Sequence, residues 1–409
     1  MGSERVVCGL DIGTTKICAL ICRRSQEGDD EIIGVGTAPS EGLKKGVVVN
    51  LEKTIGSIQR AITSAEEMAG IEIKTVYAGI AGDHIKSINS RGVIAVSRSD
   101  NEISEYDVHR VIEAAKSFAI PGDREVIHVL PQEYIVDDQG GIKDPTGMSG
   151  VRLEAEVHIV TGATTSAQNI YKSIKRAGYE VRDLVLQPLA SSMCVLHEDE
   201  KDLGTVLIDL GGGTTDIALF TDSAIRHTAV IGLGGRNITN DLAIGLRTPI
   251  DTAEQIKLDF GAAMMSLVNT DEMISIPSVG ERPPRDVSLG VVSSIIQPRV
   301  EEIFKMVLME LKRTNFYQSV AGGIVLTGGG SLLRGIDVLA EQVFDLPVRV
   351  GTPRGFGGMS HIVTNPMYST AFGLVRYGID HPDKGSREAG MFNRAFNRLE
   401  KVFNSLFNF

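Results

Sequence analysis

The chain has 409 residues, of which 42% are apolar and 23% are charged, and this balance is typical of a water-soluble protein with two or three domains. Its 52 acidic residues outnumber its 41 Lys and Arg residues, and the net charge of -11 argues against nucleic-acid binding. The four cysteines show no CxxC spacing, so neither a zinc site nor a disulfide framework is predicted. Neither a signal peptide nor an apolar run of roughly 20 residues is visible, so we expect a cytosolic protein.

The first predicted elements are two strands joined by a glycine-containing turn, in GLDIGTTKICALI at residues 9–21. A dinucleotide fingerprint or a Walker loop would continue as a helix, whereas a β-like run follows here, so the turn is the tip of a β-hairpin. Backbone N–H groups, hydroxyls and one cation can surround an anion there. These groups come from Gly13, Thr14, Thr15 and Lys16. The segment therefore predicts a phosphate-binding hairpin, with a helix following at residues 51–70.

Residues 83–160 are predicted to form a small inserted α+β module. Three strand-like segments, RGVIAVSR, REVIHVLPQEYIV and RLEAEVHIV, flank or follow a helix that opens at Ser104. Asp107 lies three residues later, in the position of a capping box. The surrounding segments, 1–82 and 161–202, are predicted to form one subdomain around the insert.

A second hairpin, LIDLGGGTTDIALF at residues 207–220, repeats the first. Asp209 corresponds to Asp11, and the two carboxylates are expected to face each other across a cleft and to hold a hydrated Mg²⁺. The second turn contains Gly211, Gly212, Gly213, Thr214 and Thr215. We interpret Asp216 as occupying the place that Lys16 has in the first copy. Two ordinary hairpins are the alternative, but two matched copies favour a phosphate site.

Residues 233–315 are predicted to be mainly helical. Glu254 and Lys257 lie three apart on a helix that Asp251 is expected to cap, so they share a face. A solvated ion pair on a helix surface is the alternative interpretation.

A longer helix is predicted in IIQPRVEEIFKMVLMELKRTNF, with Pro298 near its start. Its apolar residues form one stripe, and Arg299 and Glu302 fall on the more polar side. A surface charge pair is the simplest interpretation of these two residues.

A third glycine cluster follows the strand Ile324–Leu326, in GGIVLTGGGSLLRG. Gly328, Gly329 and Gly330 precede a helix that is expected to begin near Ser331. Such glycines allow a flat base to lie close to the backbone, although a plain strand-to-helix turn has the same pattern. A further helix is predicted in STAFGLVRYG, residues 369–378.

The chain ends in an amphipathic segment, MFNRAFNRLEKVFNSLFNF at residues 391–409, after a flexible linker. At helical spacing one half of the wheel is apolar and includes Phe392, Phe396, Leu399, Phe403, Leu406 and Phe407. The other half carries the cations Arg394, Arg398 and Lys401. A core helix shows the same stripe, but the linker, the aromatic content and the flanking cations favour a helix lying on an anionic membrane.

Together these motifs resemble a known superfamily. The paired hairpins, the later GGGS turn and GLGGRNITNDLA resemble the actin, hexokinase and DnaK-type ATPases. EGLKKGVVVNLEKTIGSIQRAI, LVLQPLASSM, ERPPRDVSLG and the tail resemble the FtsA family of actin-like bacterial cell-division proteins. The resemblance implies an α/β, actin-like two-lobed ATPase fold with a duplicated β-sheet core, an inserted α+β subdomain and a C-terminal amphipathic helix.

The resemblance also implies a division of the chain. Subdomain 1A is expected in residues 1–82 and 161–202, with subdomain 1C inserted at 83–160. Subdomain 2A is expected in residues 203–232 and 316–362, with subdomain 2B inserted at 233–315. A return helix to 1A at 363–380, a linker at 381–390 and the membrane helix at 391–409 complete the chain.

Site roles follow from the resemblance residue by residue. The two hairpin turns cover the phosphates of ATP, and Asp11 and Asp209 hold Mg²⁺ through water. Glu254 and Lys257 touch the ribose. The glycine turns that approach the adenosine are Gly234, Gly235, Gly328, Gly329 and Gly330, with Ser331.

Gln187, in LQPLASSM, occupies the position of the residue that orients the attacking water in the superfamily. A neutral amide can position water but cannot take its proton, so we expect slow turnover or none. The alternative is a polar residue that caps the start of a helix.

The same resemblance implies partners. The region of Arg299 and Glu302 would receive the acidic C-terminal peptide of FtsZ, the tubulin-like division protein. The insert would contact neighbouring subunits and later division proteins, and self-assembly into filaments would multiply the tails on the cytoplasmic face of the inner membrane. A small-molecule kinase or a pilus-assembly adaptor of the same fold are the alternatives; a chaperone is disfavoured because no substrate-binding domain follows.

Overall fold

The computed structural model describes residues 5–97, 100–117, 120–278, 280, 283–359, 362 and 364–382. Its strands are β1 (Arg5–Ile12), β2 (Lys16–Arg24), β3 (Asp30–Pro39), β4 (Leu43–Lys44), β5 (Val47–Val48), β6 (Thr75–Ile80), β7 (Lys86–Ala95), β8 (Arg124–Val136), β9 (Gln139–Ile142), β10 (Arg152–Ala163), β11 (Glu180–Leu186), β12 (Thr205–Leu210), β13 (Thr215–Thr221), β14 (Ala224–Ile231), β15 (Met273–Ile276), β16 (Arg285–Ser288), β17 (Ile324–Thr327), β18 (Val348–Val350) and β19 (Gly357–Gly358). Its helices are α1 (Leu51–Ala69), α2 (Glu105–Lys116), α3 (Thr164–Arg176), α4 (Gln187–Val195), α5 (Glu198–Leu203), α6 (Gly235–Gly245), α7 (Ile250–Phe260), α8 (Leu289–Lys312), α9 (Ile336–Phe344) and α10 (Ser369–Asp380). The predicted linker beyond residue 382 and the predicted amphipathic helix lie outside the described residues.

Two sheets share one topology. Sheet I has the order β11-β6-β1-β2-β3-β19, and sheet II has the order β14-β13-β12-β17-β18. In each sheet the two hairpin strands and the strand that follows them pair antiparallel (β1, β2 and β3; β12, β13 and β14). On the other side, one strand pairs in parallel with the first hairpin strand (β6 with β1, β17 with β12). A second parallel strand then extends the sheet (β11 beside β6, β18 beside β17). The predicted duplication is therefore confirmed, because both copies place their hairpin at the same point of an equivalent sheet.

The central strands are apolar along almost their whole length. β12 and β13 are buried at every residue, as expected for strands that are covered on both faces. α1 and α3 cover one face of sheet I, and α6, α7, α8 and α9 contribute to the core against sheet II. A third core between the sheets contains residues of α4 and α10. The two phosphate-type hairpins thus come from two lobes that share a core.

The insert forms a separate four-stranded sheet, β7-β10-β8-β9, with α2 packed against it. The predicted capping box of α2 is confirmed, because Ser104 and Asp107 bond each other's backbone N–H. Polar side chains of this sheet reach the edge strand β14 of sheet II: Asn89 donates to the Arg226 carbonyl, and Gln132 donates to the Ile225 carbonyl. The insert therefore contacts the second lobe although its chain enters from the first.

Three predicted helix starts are wrong. α8 begins at Leu289, so Pro298 lies inside the helix rather than near its start. Asp251 does not cap α7, since Pro249 is the residue before the helix and no side chain caps it. After the third glycine cluster a short 3₁₀ turn, Gly329–Leu332, intervenes before α9 begins. In each case the helical periodicity was right, and the choice of the first residue was the error.

No helix within the described ranges combines the length and the apolar character needed to cross a membrane.

The contact between α10 and α4 leads to a stability prediction. A Cβ atom on Gly373 would lie 1.9 Å from the Ala190 carbonyl oxygen, which is backbone that cannot swing away. We expect Gly373→Ala to lower the free energy of unfolding by about 3 kcal/mol. Gly56→Ala in α1 is the matched control, because its Cβ would meet only the Arg60 guanidinium at 3.6 Å and a helical Ala is favoured by about 0.5–1 kcal/mol. If urea unfolding shows a change of the same sign for both variants, Gly373 does not pack closely against the Ala190 carbonyl.

Candidate functional site

The two hairpins meet at one cleft between the lobes. Its lining includes most of the predicted phosphate and metal residues: Asp11, Gly13, Thr14, Thr15, Lys16, Gln187, Asp209, Gly211, Gly212, Gly213, Thr214, Gly328 and Gly329. These residues come from four separate segments of the chain. The tertiary structure therefore brings together side chains that are up to about 300 residues apart in sequence.

The backbone shows how the two turns correspond. In the first, the Gly13 N–H donates to the Lys16 carbonyl at 3.1 Å; in the second, the Gly211 N–H donates to the Thr214 carbonyl at 3.0 Å. Lys16 is therefore equivalent to Thr214. Our placement of Asp216 opposite Lys16 was wrong, because the sequence alignment followed the repeated Gly-Thr-Thr letters instead of the hydrogen-bonded turn.

The hairpin tips approach each other closely. A Cβ atom on Gly212 would lie 2.3 Å from the Thr15 side chain, and one on Gly213 would lie 2.5 Å from the Thr14 hydroxyl. Glycine is required at both positions because a side chain would collide with the opposite hairpin. The close approach places the backbone N–H groups of one turn beside the hydroxyls of the other, which is a suitable arrangement for oxygen atoms of a phosphate chain.

Three carboxylates lie in this cleft, and all are buried: Asp11, Asp209 and Asp216 are 9%, 7% and 3% exposed. Asp209 accepts hydrogen bonds from the Ser191 hydroxyl at 2.9 Å and the Thr370 hydroxyl at 3.2 Å. Asp216 lies directly across the hairpin from Asp209, and its Oδ1 atom is buried without a hydrogen-bond partner. A buried carboxylate oxygen without a partner is unfavourable unless a cation or water satisfies it.

Burial dominates the acid–base behaviour of this cluster. It raises the pKa of Asp11 to about 7, opposed by the charge of Lys16 and reinforced by Asp209. It raises the pKa of Asp216 to about 8, with the charge of Asp209 as the next cause. The pKa of Asp209 is also raised by burial, against the lowering effect of its two hydroxyl donors. Such a cluster is unfavourable in its fully charged form until a cation compensates it.

A pH-dependent stability difference follows from Asp216. Because its folded pKa lies above its unfolded value, the folded chain holds an extra proton between about pH 4 and 8, and the contribution to stability falls as the pH rises. Asp216→Asn removes this titration. The free energy of unfolding of the variant should therefore exceed that of the unaltered protein by a margin that grows by up to about 1.4 kcal/mol for each unit of rising pH. Urea unfolding with a chelator at pH 5 and pH 8 measures this gap. A gap that stays constant between the two pH values would contradict the prediction.

Gln187 is the first residue of α4, and its side chain donates from Nε2 to Asp11 Oδ1 at 3.1 Å. No side chain caps this helix, and the residue before it is Leu186. The capping alternative for Gln187 is therefore wrong. The hydrogen bond leaves the amide oxygen as an acceptor beside the hairpins, where it can orient a water molecule but cannot remove a proton.

Lys16 extends along the side of the cleft. Its ammonium group donates to the Met367 carbonyl at 3.0 Å and lies 3.9 Å above the ring of Tyr368. These contacts hold the charge of Lys16 at the end of the chain segment that precedes α10. The cation predicted for the first hairpin is thus present at the cleft, but it is anchored on neighbouring groups.

The residues assigned to the ribose lie behind the second hairpin. Lys257 bonds Glu254 at 2.7 Å and the Gly235 carbonyl at 3.3 Å. The start of α6 is bound to the second turn, because the Gly235 N–H donates to the Gly211 carbonyl at 2.9 Å. A Cβ atom on Gly234 would lie 2.5 Å from that same carbonyl. The Glu254–Lys257 pair therefore lies beside the second hairpin, but neither residue lines the cleft, and the Glu254 side chain is 44% exposed.

The third glycine turn closes another side of the cleft. Gly328 has a φ of 81°, and a Cβ atom there would lie 2.2 Å from Asp209 Oδ1. A Cβ atom on Gly330 would meet Leu210 at 2.8 Å, and the Ser331 hydroxyl donates to the Gly328 carbonyl at 2.7 Å. Gly330 and Ser331 thus support the turn, whereas Gly328 and Gly329 face the cleft. Thr215, also predicted as a site residue, instead donates its hydroxyl to Leu233.

Arg299 and Glu302 lie outside the cleft, on α8. The Arg299 guanidinium is held by Asp241 of α6, with one nitrogen–oxygen distance of 3.1 Å, and it also contacts Glu302. Glu302 is about half exposed. The predicted membrane residues, 392–407, lie outside the described part of the chain.

Sequence reasoning missed several cleft residues, among them Gly46, Pro366, Met367 and Thr370, and it named Asp216 only as the counterpart of Lys16. Asp216 carried a visible signal, because an acidic residue ends the second glycine-threonine motif. Gly46, Met367 and Thr370 carried none, since they belong to segments whose own sequence has no phosphate pattern and enter the cleft only through folding.

The donor set fits a hydrated Mg²⁺ better than a directly held metal. Within the described ranges, no group of three or more His, Cys, Asp or Glu side chains is arranged to hold a metal ion. Mg²⁺ commonly keeps several waters and is held by one or two carboxylates together with phosphates. The buried carboxylates, and above all the unpartnered oxygen of Asp216, are consistent with that type of site.

Solved structures show the same fold at low sequence identity. The PilM–PilN type IV pilus biogenesis complex matches with a TM-score of 0.67 and 15% identity, covering 91% of this chain and 98% of the matched chain. MreB5 of Spiroplasma citri bound to ADP matches with a TM-score of 0.57 and 15% identity, covering 94% and 99%. These likenesses show that the chain has the actin-like fold.

Family comparisons are more specific. A model described as "Cell division protein FtsA" matches residues 206–373, and one described as "SHS2 domain inserted in FTSA" matches residues 82–161. The cell division protein FtsA of Pseudomonas aeruginosa is 49% identical over 383 residues, covering 94% of this chain and 91% of the relative. That of Escherichia coli K12 is 41% identical over 392 residues, covering 94% and 93%. The chain that carries the duplicated hairpins and the inserted module therefore belongs to the FtsA family of cell-division proteins.

Proposed function

We propose that this protein binds ATP with Mg²⁺ in the cleft between the hairpins, polymerises on the cytoplasmic face of the inner membrane at the division site, and tethers FtsZ filaments there. The observation that carries the nucleotide part is the convergence of both hairpins and the third glycine turn on one cleft. Family membership supports the division role. A fold neighbour solved with bound ADP supports a nucleotide as the ligand.

The chain's own residues support a defined arrangement. The turns at Gly13 and Gly211 would surround the phosphates with N–H groups and hydroxyls, and Asp11 with Asp209 would hold the waters of the metal ion. Mg²⁺, when bound, neutralises phosphate charge. Gln187 would orient a water through its amide oxygen, and because it cannot take a proton, we expect ATP to act mainly as a structural and polymerisation ligand.

The base and ribose would lie beside α6 and α7. Glu254 and Lys257 are positioned next to Gly235, and the turn at Gly328 forms the neighbouring wall. Each of these groups borders the second hairpin, which supports a nucleotide that extends from the hairpins toward the second lobe.

The FtsZ contact is proposed on α8. Arg299 is a charged residue at the surface of the second lobe, about one quarter exposed, and Glu302 beside it is half exposed. An acidic peptide would compete with Asp241 for the guanidinium. This competition favours a modest affinity, which suits attachment through many weak contacts along two filaments. We further propose that the insert contacts neighbouring subunits and later division proteins.

The decisive experiment is electron microscopy of the full chain on anionic lipid monolayers with Mg·ATP, with and without an FtsZ tail peptide. We expect ordered single or double filaments that require both nucleotide and anionic lipid. A small-molecule kinase of the same fold would instead show rapid ADP production that depends on an acceptor. A pilus-assembly adaptor would not bind the FtsZ peptide.

A further inference from the structure

The turn between β4 and β5 contains an unusual lysine. Lys44 pairs with Val47, so the two-residue loop consists of Lys45 and Gly46. Both have positive φ angles, 50° and 77°, as the type I′ turn requires. Asn and Gly are the residues that favour such angles, whereas Lys meets a steric penalty there. A residue kept in an unfavourable conformation motivates a search for its function.

This turn is attached to the first phosphate-type hairpin. The Gly46 N–H donates to the Thr14 hydroxyl at 3.2 Å, and Gly46 lines the cleft. A Cβ atom on Gly46 would lie 2.4 Å from the Ala81 carbonyl, so the loop is pressed against the backbone that leads into the insert. Both contacts involve Gly46, so they fix the turn immediately after Lys45.

The Lys45 side chain crosses from the first lobe to the second. Its Nζ atom would lie 3.4 Å from a Cβ atom built on Gly232, and its Cδ atom 3.5 Å from it. Gly232 is two residues before Gly234, whose backbone abuts the Gly211 carbonyl of the second hairpin. The ammonium group thus lies where the two lobes meet, one residue from Gly46, which lines the cleft.

The charge of Lys45 has no partner among the described residues, and its side chain is exposed. Lys16, which lines the cleft, is instead bound to the Met367 carbonyl and lies on the Tyr368 ring. A long flexible side chain with an unpaired ammonium group can move several ångströms without breaking any contact. The ammonium group of Lys45 is therefore available to bind a phosphate.

We propose that Lys45 binds the terminal phosphate of a nucleoside triphosphate and so favours ATP over ADP. The inference rests on the proposed ATP site and adds to it a residue that distinguishes the two nucleotides. A diphosphate lacks the group that Lys45 would contact, and the interaction would hold the two lobes together from opposite sides of the cleft mouth.

A solubilising surface lysine is the competing explanation. Lys44, the preceding residue, is also exposed, but it lies in a strand and alternates to the other face of the hairpin. If the residue had no role beyond lying on the surface, Asn or Gly would serve equally well at this turn. Either would also make the turn more stable, because both favour its positive φ angles. The explanation therefore accounts for the charge but not for its position.

Isothermal titration of the full chain with Mg·ATP and Mg·ADP tests the proposal. Lys45→Asn removes the cation and improves the turn, so we expect an unchanged or higher melting temperature together with about a tenfold fall in the ratio Kd(ADP)/Kd(ATP). Lys45→Arg should retain much of the preference. Lys44→Ala is the matched control, with the same loss of charge one residue away, and should keep the ratio.

An unchanged ratio in Lys45→Asn would overturn the proposal, and so would an equal fall in Lys44→Ala, which would indicate a general effect of surface charge. Absence of ATP binding by the unaltered protein is a different result. It would refute the proposed function itself, and it is recognised before any variant is compared.

Discussion

Asp209→Asn is expected to weaken Mg·ATP binding by about 10–100-fold while leaving the fold intact. Residues that hold a metal ion through its outer shell have effects of this size. The amide has nearly the same shape, and the hydroxyls of Ser191 and Thr370 can still bond it. Because burial raises the pKa of Asp209, loss of the carboxylate should raise the melting temperature of the metal-free protein.

Titration with ATP, once with Mg²⁺ and once with a chelator, measures how much the metal ion contributes to ATP binding in each variant. The unaltered protein should bind more tightly with Mg²⁺, and the Asp209→Asn variant should show little difference. Asp345→Asn, the same chemical change at the end of α9 and outside the cleft lining, should behave like the unaltered protein. If Mg²⁺ still tightens binding by the same factor in the Asp209 variant, this carboxylate does not hold the metal ion.

Deletion of residues 391–409 is expected to abolish sedimentation of the protein with anionic vesicles while ATP binding is retained. The apolar face of the predicted tail helix contains most of its binding energy, since each buried phenylalanine contributes about 1.5–3 kcal/mol. The cations add attraction to anionic headgroups. Binding should weaken at high salt but should not vanish, because the apolar contribution does not depend on ionic strength.

A matched pair of variants tests the proposed face. Phe396→Glu with Phe403→Glu places two carboxylates on the apolar side, and Asn397→Glu with Asn404→Glu makes the same charge change on the polar side. The first pair should abolish vesicle sedimentation, whereas the second should reduce it only moderately. Equal losses would show that net charge, and not a helical face, controls membrane binding.

Some residues of the candidate site could be predicted from sequence patterns, and others could not. Asp11 and Asp209 were correctly predicted to lie in one cleft, because each is the next-to-last residue of a buried strand at the same point of a repeat, and repeats preserve topology. The register of the second turn was misjudged because two Gly-Thr-Thr strings suggested a letter-by-letter alignment that the hydrogen bonds do not support. Gly46 and Thr370 were missed since their segments have no local pattern and reach the cleft through packing alone.

By itself, the sequence determined the duplicated hairpins, the inserted module and the main helices, because these depend on local periodicity and on turn chemistry; the amphipathic helix at the end stays a prediction. Only the tertiary structure decided which groups face each other. It placed Asp216 beside Asp209, bound Gln187 to Asp11, anchored Lys16 on Met367 and brought Lys45 to Gly232. The physical reason is that such contacts join segments far apart in the chain, and their geometry depends on the packing of two lobes, which no single stretch of sequence encodes.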